Sequence, residues 1–123
     1  MYLSPELLNA YAHKHSSPSF NVAKSDVYSF GMTLLYIANL TDPILSCYDT
    51  KQENLNRRGI EESIANVRTR YSQFLAEFIE WCLNENPEDR PNFAELDQNL
   101  APYHGYIRNM ENFTTVIQIL FNK

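Results

Sequence analysis

Glycine and cysteine are both scarce in this sequence, and neither forms a motif that carries chemistry. The three glycines, Gly31, Gly59 and Gly105, are too far apart for a loop that binds phosphate through backbone N–H groups. The two cysteines, Cys47 and Cys82, are widely spaced and form no Cys-x-x-Cys pair. We therefore predict two reduced thiols in the core of a cytoplasmic protein, with no disulfide and no metal site.

Long hydrophobic runs and an excess of positive charge are also missing. The chain has 10 Lys and Arg against 15 Asp and Glu, a net charge of −5, so it offers no basic surface for nucleic acid. Its longest apolar run lies within residues 30–40, which is too short to cross a bilayer. The first residues contain Pro5 and Glu6 in place of an apolar signal-peptide core. We expect a soluble cytoplasmic protein that binds neither nucleic acid nor a membrane.

The sequence does contain the material of one folded core, and its clearest central element is a helix over residues 24–40. Hydrophobic residues make up 44% of the 123 residues, as in a globular domain. The helical stripe repeats at i, i+3, i+4 and i+7, and it consists of Val27, Phe30, Leu34, Leu35 and Ala38. Further apolar residues on the other sides indicate a buried helix. Ser25 or Asp26 suits its N-cap, and Gly31 within it suggests the close approach of another backbone.

Other segments predict shorter helices joined by loops, and no segment has the alternation of a strand. A helix starting at Pro5 is expected to end at Leu8, and residues 9–22, with His13 and His15, have the composition of a loop. After a turn at residues 41–43, we expect a short helix over residues 52–58 that Gly59 ends, and one or two helical turns over residues 61–67.

The second half of the chain has two well-marked helices and a third near its end. Residues 72–83 carry the cleanest stripe, with Ser72 as N-cap. Asn92 can cap a helix over residues 93–100. We expect its inner face to be Phe93, Leu96 and Leu100. The last amphipathic stripe is Phe113, Val116, Ile117, Leu120 and Phe121. Together these patterns predict an all-α fold.

Three segments, in chain order, resemble motifs of eukaryotic protein kinases. They are Tyr2-Leu3-Ser4-Pro5-Glu6, which resembles the Ala-Pro-Glu motif with Ser4 in place of Ala, Asp26-Val27-Tyr28-Ser29-Phe30-Gly31, and the segment from Cys82 to Pro91. The resemblance implies that residues 1–100 are the helical lower part of a kinase C-terminal lobe. Residues 101–123 are then a C-terminal helical extension. The sequence of the first motif is more similar to that of serine/threonine kinases than to that of tyrosine kinases.

The resemblance also implies roles for four residues, all of them structural. Glu6 is expected to pair with Arg90, because an arginine fork can bind a carboxylate bidentately. The alternative is two surface charges that never meet. Asp26 is expected to accept hydrogen bonds from the backbone of a catalytic loop, with a plain helix cap as the alternative. Gly31 is expected to pack in the base of the lobe. Apart from the resemblance, Trp81 is expected to lie in the core or line a groove, with ligand stacking as the alternative.

The residues that carry kinase chemistry are missing from the 123 residues. Phosphoryl transfer in this family uses a glycine-rich loop, a lysine, a catalytic Asp and Asn, and an Asp for the metal. The sequence has no His-Arg-Asp and no Asp-Phe-Gly. We therefore expect no catalytic, cofactor-binding or metal-binding residue in this chain, and an inactive isolated chain. ATP and magnesium, and a protein substrate, are implied for the intact parent domain.

Two interpretations of the chain remain open at this point. It is either an incomplete stretch of a serine/threonine kinase, which the abrupt start inside the first motif favours, or a non-catalytic helical binding module derived from a kinase lobe. In both cases the helix over residues 26–40 would lack neighbours. We expect it to expose apolar surface and to contact a missing N-terminal part or a second copy of the chain.

Overall fold

The computed structural model describes residues 2–12, 21–49, 51 and 54–101, and within this part the fold is helical, as expected. The single sheet of the described residues is a two-stranded antiparallel ladder that pairs Tyr48 with Leu55 and Asp49 with Asn54. The elements are α1 (Pro5–Ala12), α2 (Val22–Asn39), α3 (Pro43–Ser46), β1 (Tyr48–Asp49), β2 (Asn54–Leu55), α4 (Arg57–Arg70), α5 (Gln73–Cys82) and α6 (Phe93–Asn99).

Helix α2 is the centre of the fold, and α4 and α5 pack against it. Its buried residues include Val27, Met32, Leu34 and Ala38, each at most 1% exposed. Helices α4 and α5 therefore cover the buried face of α2. The prediction that part of the apolar surface of this helix is exposed holds for Tyr36, which is 44% exposed, and for Leu40 at its C-cap, which is 80% exposed.

The start of α2 differs from the prediction. Asn21, not Ser25 or Asp26, is the N-cap: its backbone is extended and its Oδ1 accepts from the N–H of Lys24 at 3.1 Å. A short side-chain amide satisfies an unpaired N–H of the first turn as well as a hydroxyl does. Ser25 is instead buried inside the helix. The helix therefore begins earlier than residues 24–26.

The segment around Gly59 is the clearest error of the sequence interpretation. Residues Asn54 and Leu55 form a strand, Asn56 caps α4, and Gly59 lies in the first turn of α4 instead of ending a helix. The N–H of Gly59 donates to Asn56 Oδ1 at 3.1 Å. A Cβ at Gly59 would lie 1.7 Å from the Ser46 carbonyl oxygen. The glycine is thus required by a close approach to α3, which a local pattern cannot reveal.

Helices α5 and α6 begin where the sequence predicts. Ser72 Oγ accepts from the N–H of Leu75 at 3.1 Å. Asn92 forms a capping box with Glu95, in which each side chain accepts from the other residue's backbone N–H. Leu96 is buried as expected, but Phe93 is 47% exposed. Phe93 lies at the edge of the core, with its ring centroid 6.3 Å from that of Phe30.

Several further expectations concern the ends and loops of the chain. Helix α1 runs to Ala12, beyond the predicted end at Leu8. The histidines at 13 and 15 and the stripe over residues 113–121 lie outside the described residues. Cys47 and Cys82 are both free and buried. No helix in the described part of the chain is long and apolar enough to cross a membrane.

Candidate functional site

The candidate site is an ion pair in the interior, between α1 and the loop that joins α5 to α6. Glu6 lies in the first turn of α1, and Arg90 lies between α5 and α6. Arg90 Nη1 donates to Glu6 Oε2 at 2.8 Å, and Arg90 Nη2 donates to Glu6 Oε1 at 3.0 Å. The Arg90 side chain is 0% exposed and that of Glu6 17%. The pairing expected from the resemblance is therefore present, in the bidentate geometry.

Arg90 also bonds to three backbone carbonyls, so all of its N–H groups have acceptors. Nε donates to the Asn84 oxygen at 2.9 Å, Nη1 to the Lys24 oxygen at 2.9 Å, and Nη2 to the Glu85 oxygen at 3.4 Å. The guanidinium carbon lies 5.0 Å from the ring centroid of Tyr28, a cation–π distance. One side chain thus connects α1, α2 and the loop that follows α5.

The pKa of Glu6 reflects a competition within this site. Burial alone would raise it, but the hydrogen bonds from Arg90 and from backbone, and the guanidinium charge, lower it below its ordinary value of 4.5. The nearby hydroxyl of Ser4 acts in the same direction on this pKa. Glu6 is therefore an anion whose charge the site stabilises, which suits a permanent ion pair rather than proton transfer.

Two contacts near the pair had no clear signal in the sequence. The Oγ atoms of Ser4 and Ser25, both buried, lie 3.1 Å apart and share a hydrogen bond. Lys24 Nζ donates to the Arg90 carbonyl oxygen. Ser4 is the position where the motif departs from alanine, and that departure was the one available hint. The hydroxyl adds a second link between the segment before α1 and helix α2.

The other two predicted site residues lie apart from the ion pair. Asp26 is exposed on α2, and its side chain makes no hydrogen bond or ion pair with the described residues. Gly31 is buried against α5: a Cβ there would lie 2.8 Å from Cys82 Cβ and 2.9 Å from Leu83 Cδ2. The expected close approach at Gly31 is thus observed, although side-chain atoms of α5, not backbone, make it.

The glycines and the buried Cys82 thiol of the described residues have structural surroundings. Within the described residues, no group of three or more His, Cys, Asp or Glu side chains could hold a metal ion. The space beside Gly31 and Gly59 is filled by close contacts with Cys82 and Leu83 and with Ser46. Neither glycine therefore leaves room for a phosphate group. Burial raises the pKa of the Cys82 thiol to about 12, which leaves it an unreactive thiol. The site has the chemistry of a structural anchor.

Comparison with known proteins places the chain in a family. Residues 1–100 match the sequence profile of the family described as protein tyrosine and serine/threonine kinase. The chain belongs to this kinase family. Glu6, Asp26, Gly31 and Arg90 all lie within the matched residues, so the buried ion pair joins the two ends of a kinase-family segment.

Three relatives match most of this chain with a small part of their own length. The chain is 29% identical over 107 residues to a leucine-rich repeat receptor-like serine/threonine-protein kinase of Arabidopsis thaliana, an alignment covering 81% of this chain. It is 26% identical over 132 aligned positions to atrial natriuretic peptide receptor 2 of Homo sapiens and of Bos taurus, with 98% of this chain covered. In each case the chain spans 11% of the length of the relative.

Proposed function

We propose that this chain is the helical base of a protein kinase C-terminal lobe. The longer protein that carries it would transfer phosphate from ATP, with magnesium, to serine or threonine in protein substrates. The observation that carries the proposal is the bidentate Glu6–Arg90 pair. It ties the segment that resembles the end of a kinase activation segment to the loop between two lobe helices, which holds that segment rigid against the domain.

Asp26 supports the assignment to a larger domain. Its carboxylate projects from α2 with no partner among the described residues, although α2 is otherwise well packed. By resemblance, this carboxylate would accept backbone N–H groups of a catalytic loop. An ionised acceptor of several N–H groups is a strong and directional anchor, so it would position that loop.

Two experiments test the proposal. Sequencing of full-length transcripts upstream of the Met1 codon should reveal a continuous reading frame with the Asp-Phe-Gly and His-Arg-Asp motifs. The purified 123-residue chain, incubated with ATP, magnesium and casein, should transfer no phosphate, because the residues for phosphoryl transfer are absent. A reading frame that starts at Met1 after a stop codon, or reproducible phosphorylation by the short chain, would refute the proposal.

If the longer protein is recovered, Asp26→Asn isolates the positioning role. The amide keeps the size but loses the charge, so kcat should fall while the thermal unfolding midpoint stays unchanged. Glu61→Gln is the matched control, since Glu61 is exposed on α4, a different helix from that of Asp26. Equal kcat values for the two variants would contradict the assigned role of Asp26.

A second candidate function is a non-catalytic binding module, and one observation favours it. The buried face of α2 is covered by helices of this same chain, with Val27, Met32 and Ala38 each 0% exposed. A platform that closes its own core can be stable without the rest of a kinase domain. Light scattering and thermal melting of the purified chain test this: a monomer with a cooperative melt above about 60 °C would favour the module.

A further inference from the structure

The segment before α1 is held in place by side chains from distant parts of the chain. Residues 2–4 belong to no helix or strand. The hydroxyl of Tyr48, on β1, donates to the carbonyl oxygen of Leu3 at 2.8 Å. The hydroxyl of Ser29, on α2, donates to the carbonyl oxygen of Tyr2 at 2.6 Å. The backbone of this segment therefore depends on two donors that lie 45 and 27 positions further along the chain.

Tyr48 is itself fixed by contacts on both sides of its ring and backbone. It is buried, its backbone lies opposite Leu55 in the ladder, and the N–H of Asn56 donates to the Cys47 carbonyl oxygen at 2.8 Å. Its ring stacks on that of Tyr2, with the centroids 6.3 Å apart and the planes 16° from parallel. Burial raises the pKa of the Tyr48 hydroxyl above its ordinary value, so the hydroxyl keeps its proton and donates at neutral pH.

We propose that Tyr48 and Ser29 are positioning residues whose hydroxyls fix residues 2–4 and the start of α1. The segment continues directly into the first turn of α1, which carries Glu6. Strand β2, the partner of β1 in the ladder, contacts α1 as well, so the ladder adjoins both the segment and the helix. Kinase activity depends on an ordered activation segment. Under the proposed function, on which this step rests, the two hydroxyls would hold the end of that segment in its active position.

Hydrogen exchange in the 123-residue chain tests the structural part of this proposal, whatever the activity of the longer protein. The N–H of Leu8 donates to the Ser4 carbonyl oxygen at 2.9 Å, so its exchange with solvent deuterium reports movement of the segment. Tyr48→Phe removes the donor and keeps the ring that stacks on Tyr2. We expect exchange at Leu8 to become about two- to tenfold faster, which is the effect of one lost hydrogen bond.

Tyr71→Phe is the matched control, because Tyr71 also donates its hydroxyl to a backbone carbonyl, that of Ala38 at 2.9 Å. Tyr71 lies at the C-cap of α4, so its replacement should leave exchange at Leu8 unchanged. Ser29→Ala removes the other donor to the segment and should also accelerate exchange at Leu8. This variant keeps the proposal falsifiable if Tyr48→Phe does not fold.

Exchange at Leu8 that stays at the wild-type rate in Tyr48→Phe or in Ser29→Ala would overturn the positioning role. Equal acceleration in Tyr71→Phe would overturn it too, because the rate would then follow overall stability. In the longer protein, kcat for casein should fall about two- to tenfold in Tyr48→Phe relative to Tyr71→Phe. Faster exchange with an unchanged kcat would contradict the catalytic step, whereas a longer protein that transfers no phosphate before any substitution would contradict the proposed function itself.

Discussion

The Glu6–Arg90 pair, here called the anchor, buries a charged group. By contrast, residues 40–46 after α2, here called the turn, expose apolar side chains. In the anchor, a fully buried charge has an acceptor for every N–H group. In the turn, Leu40 is 80% exposed and Leu45 on α3 is 78% exposed. Leu40 also has a φ of 54°, a left-handed conformation that favours glycine. The anchor therefore keeps polar groups hydrogen-bonded in the core, whereas the turn exposes apolar side chains to water.

The comparison distinguishes interactions that stabilise the fold from residues whose substitution has little effect on its stability. A buried charge without its partner is costly, so the anchor depends on both of its members. An exposed leucine contributes little to folding, so the turn can change without loss. We therefore expect the largest effects of mutation in the anchor and the smallest in the turn.

Replacement of one partner should have the largest effect. Arg90→Met removes the guanidinium and leaves Glu6 without its cation, which should lower the free energy of unfolding by about 3–5 kcal/mol. Glu6→Gln should also be strongly destabilising, and the double variant should lose less than the sum of the two. Chemical denaturation of all four chains measures this coupling. Additive losses, within about 0.5 kcal/mol, would contradict a joint role of the pair.

Acid should weaken the anchor in the wild-type chain. Because the pKa of Glu6 is lowered in the folded chain, the unfolded chain binds a proton more readily than the folded one. The stabilisation by Glu6 is complete above its ordinary pKa of 4.5 and is lost as the pH falls through the lower folded value. The stability difference between wild type and Glu6→Gln should shrink over that window. A constant difference from pH 6 to pH 2 would refute this.

The conformation of Leu40 predicts a stabilising substitution in the turn. A left-handed residue with a Cβ costs roughly 1–2 kcal/mol relative to glycine. Leu40→Gly should therefore raise the free energy of unfolding by about 1 kcal/mol. Leu40→Ala keeps the Cβ and should show no such gain. If both variants are equally stable in urea titrations, the backbone conformation is not the reason.

Tyr28 packs against Arg90 but differs from it in hydrogen bonding. Its ring lies beneath Arg90, but its buried hydroxyl has no hydrogen-bond partner among the described residues. A buried polar group without a partner costs about 1–3 kcal/mol, although an ordered water can offset most of this. Tyr28→Phe should therefore be neutral or slightly stabilising. A marked loss of thermal stability would show that the hydroxyl is bonded in solution.

The smallest effect is expected at Leu45. Its side chain is 78% exposed, so Leu45→Ser should change stability by less than about 0.5 kcal/mol. The same denaturation series measures it, with Leu75→Ser as the buried counterpart, because Leu75 is 0% exposed. A large loss at Leu45 would mean that the turn is covered in solution, and the contrast with the anchor would then fail.

Much of the fold was predictable because it depends on neighbours in the chain. The stripe of α5 and the caps at Ser72 and Asn92 are local features, read over one or two helical turns. The site was predictable only in part. Resemblance indicated that Glu6 and Arg90 meet, but periodicity could not, since 84 positions separate them.

The predictions from sequence failed where a residue contacts a distant part of the chain. Ser25 looked like a helix cap, but its hydroxyl bonds to Ser4, and Asn21 caps α2 instead. Gly59 looked like a helix end, but it sits against the Ser46 carbonyl. By itself the sequence determined the main helices and the caps at Ser72 and Asn92, because short-range hydrogen bonds and side-chain periodicity set them. Only the tertiary structure decided which polar groups are buried and paired, because packing brings those groups together across the chain.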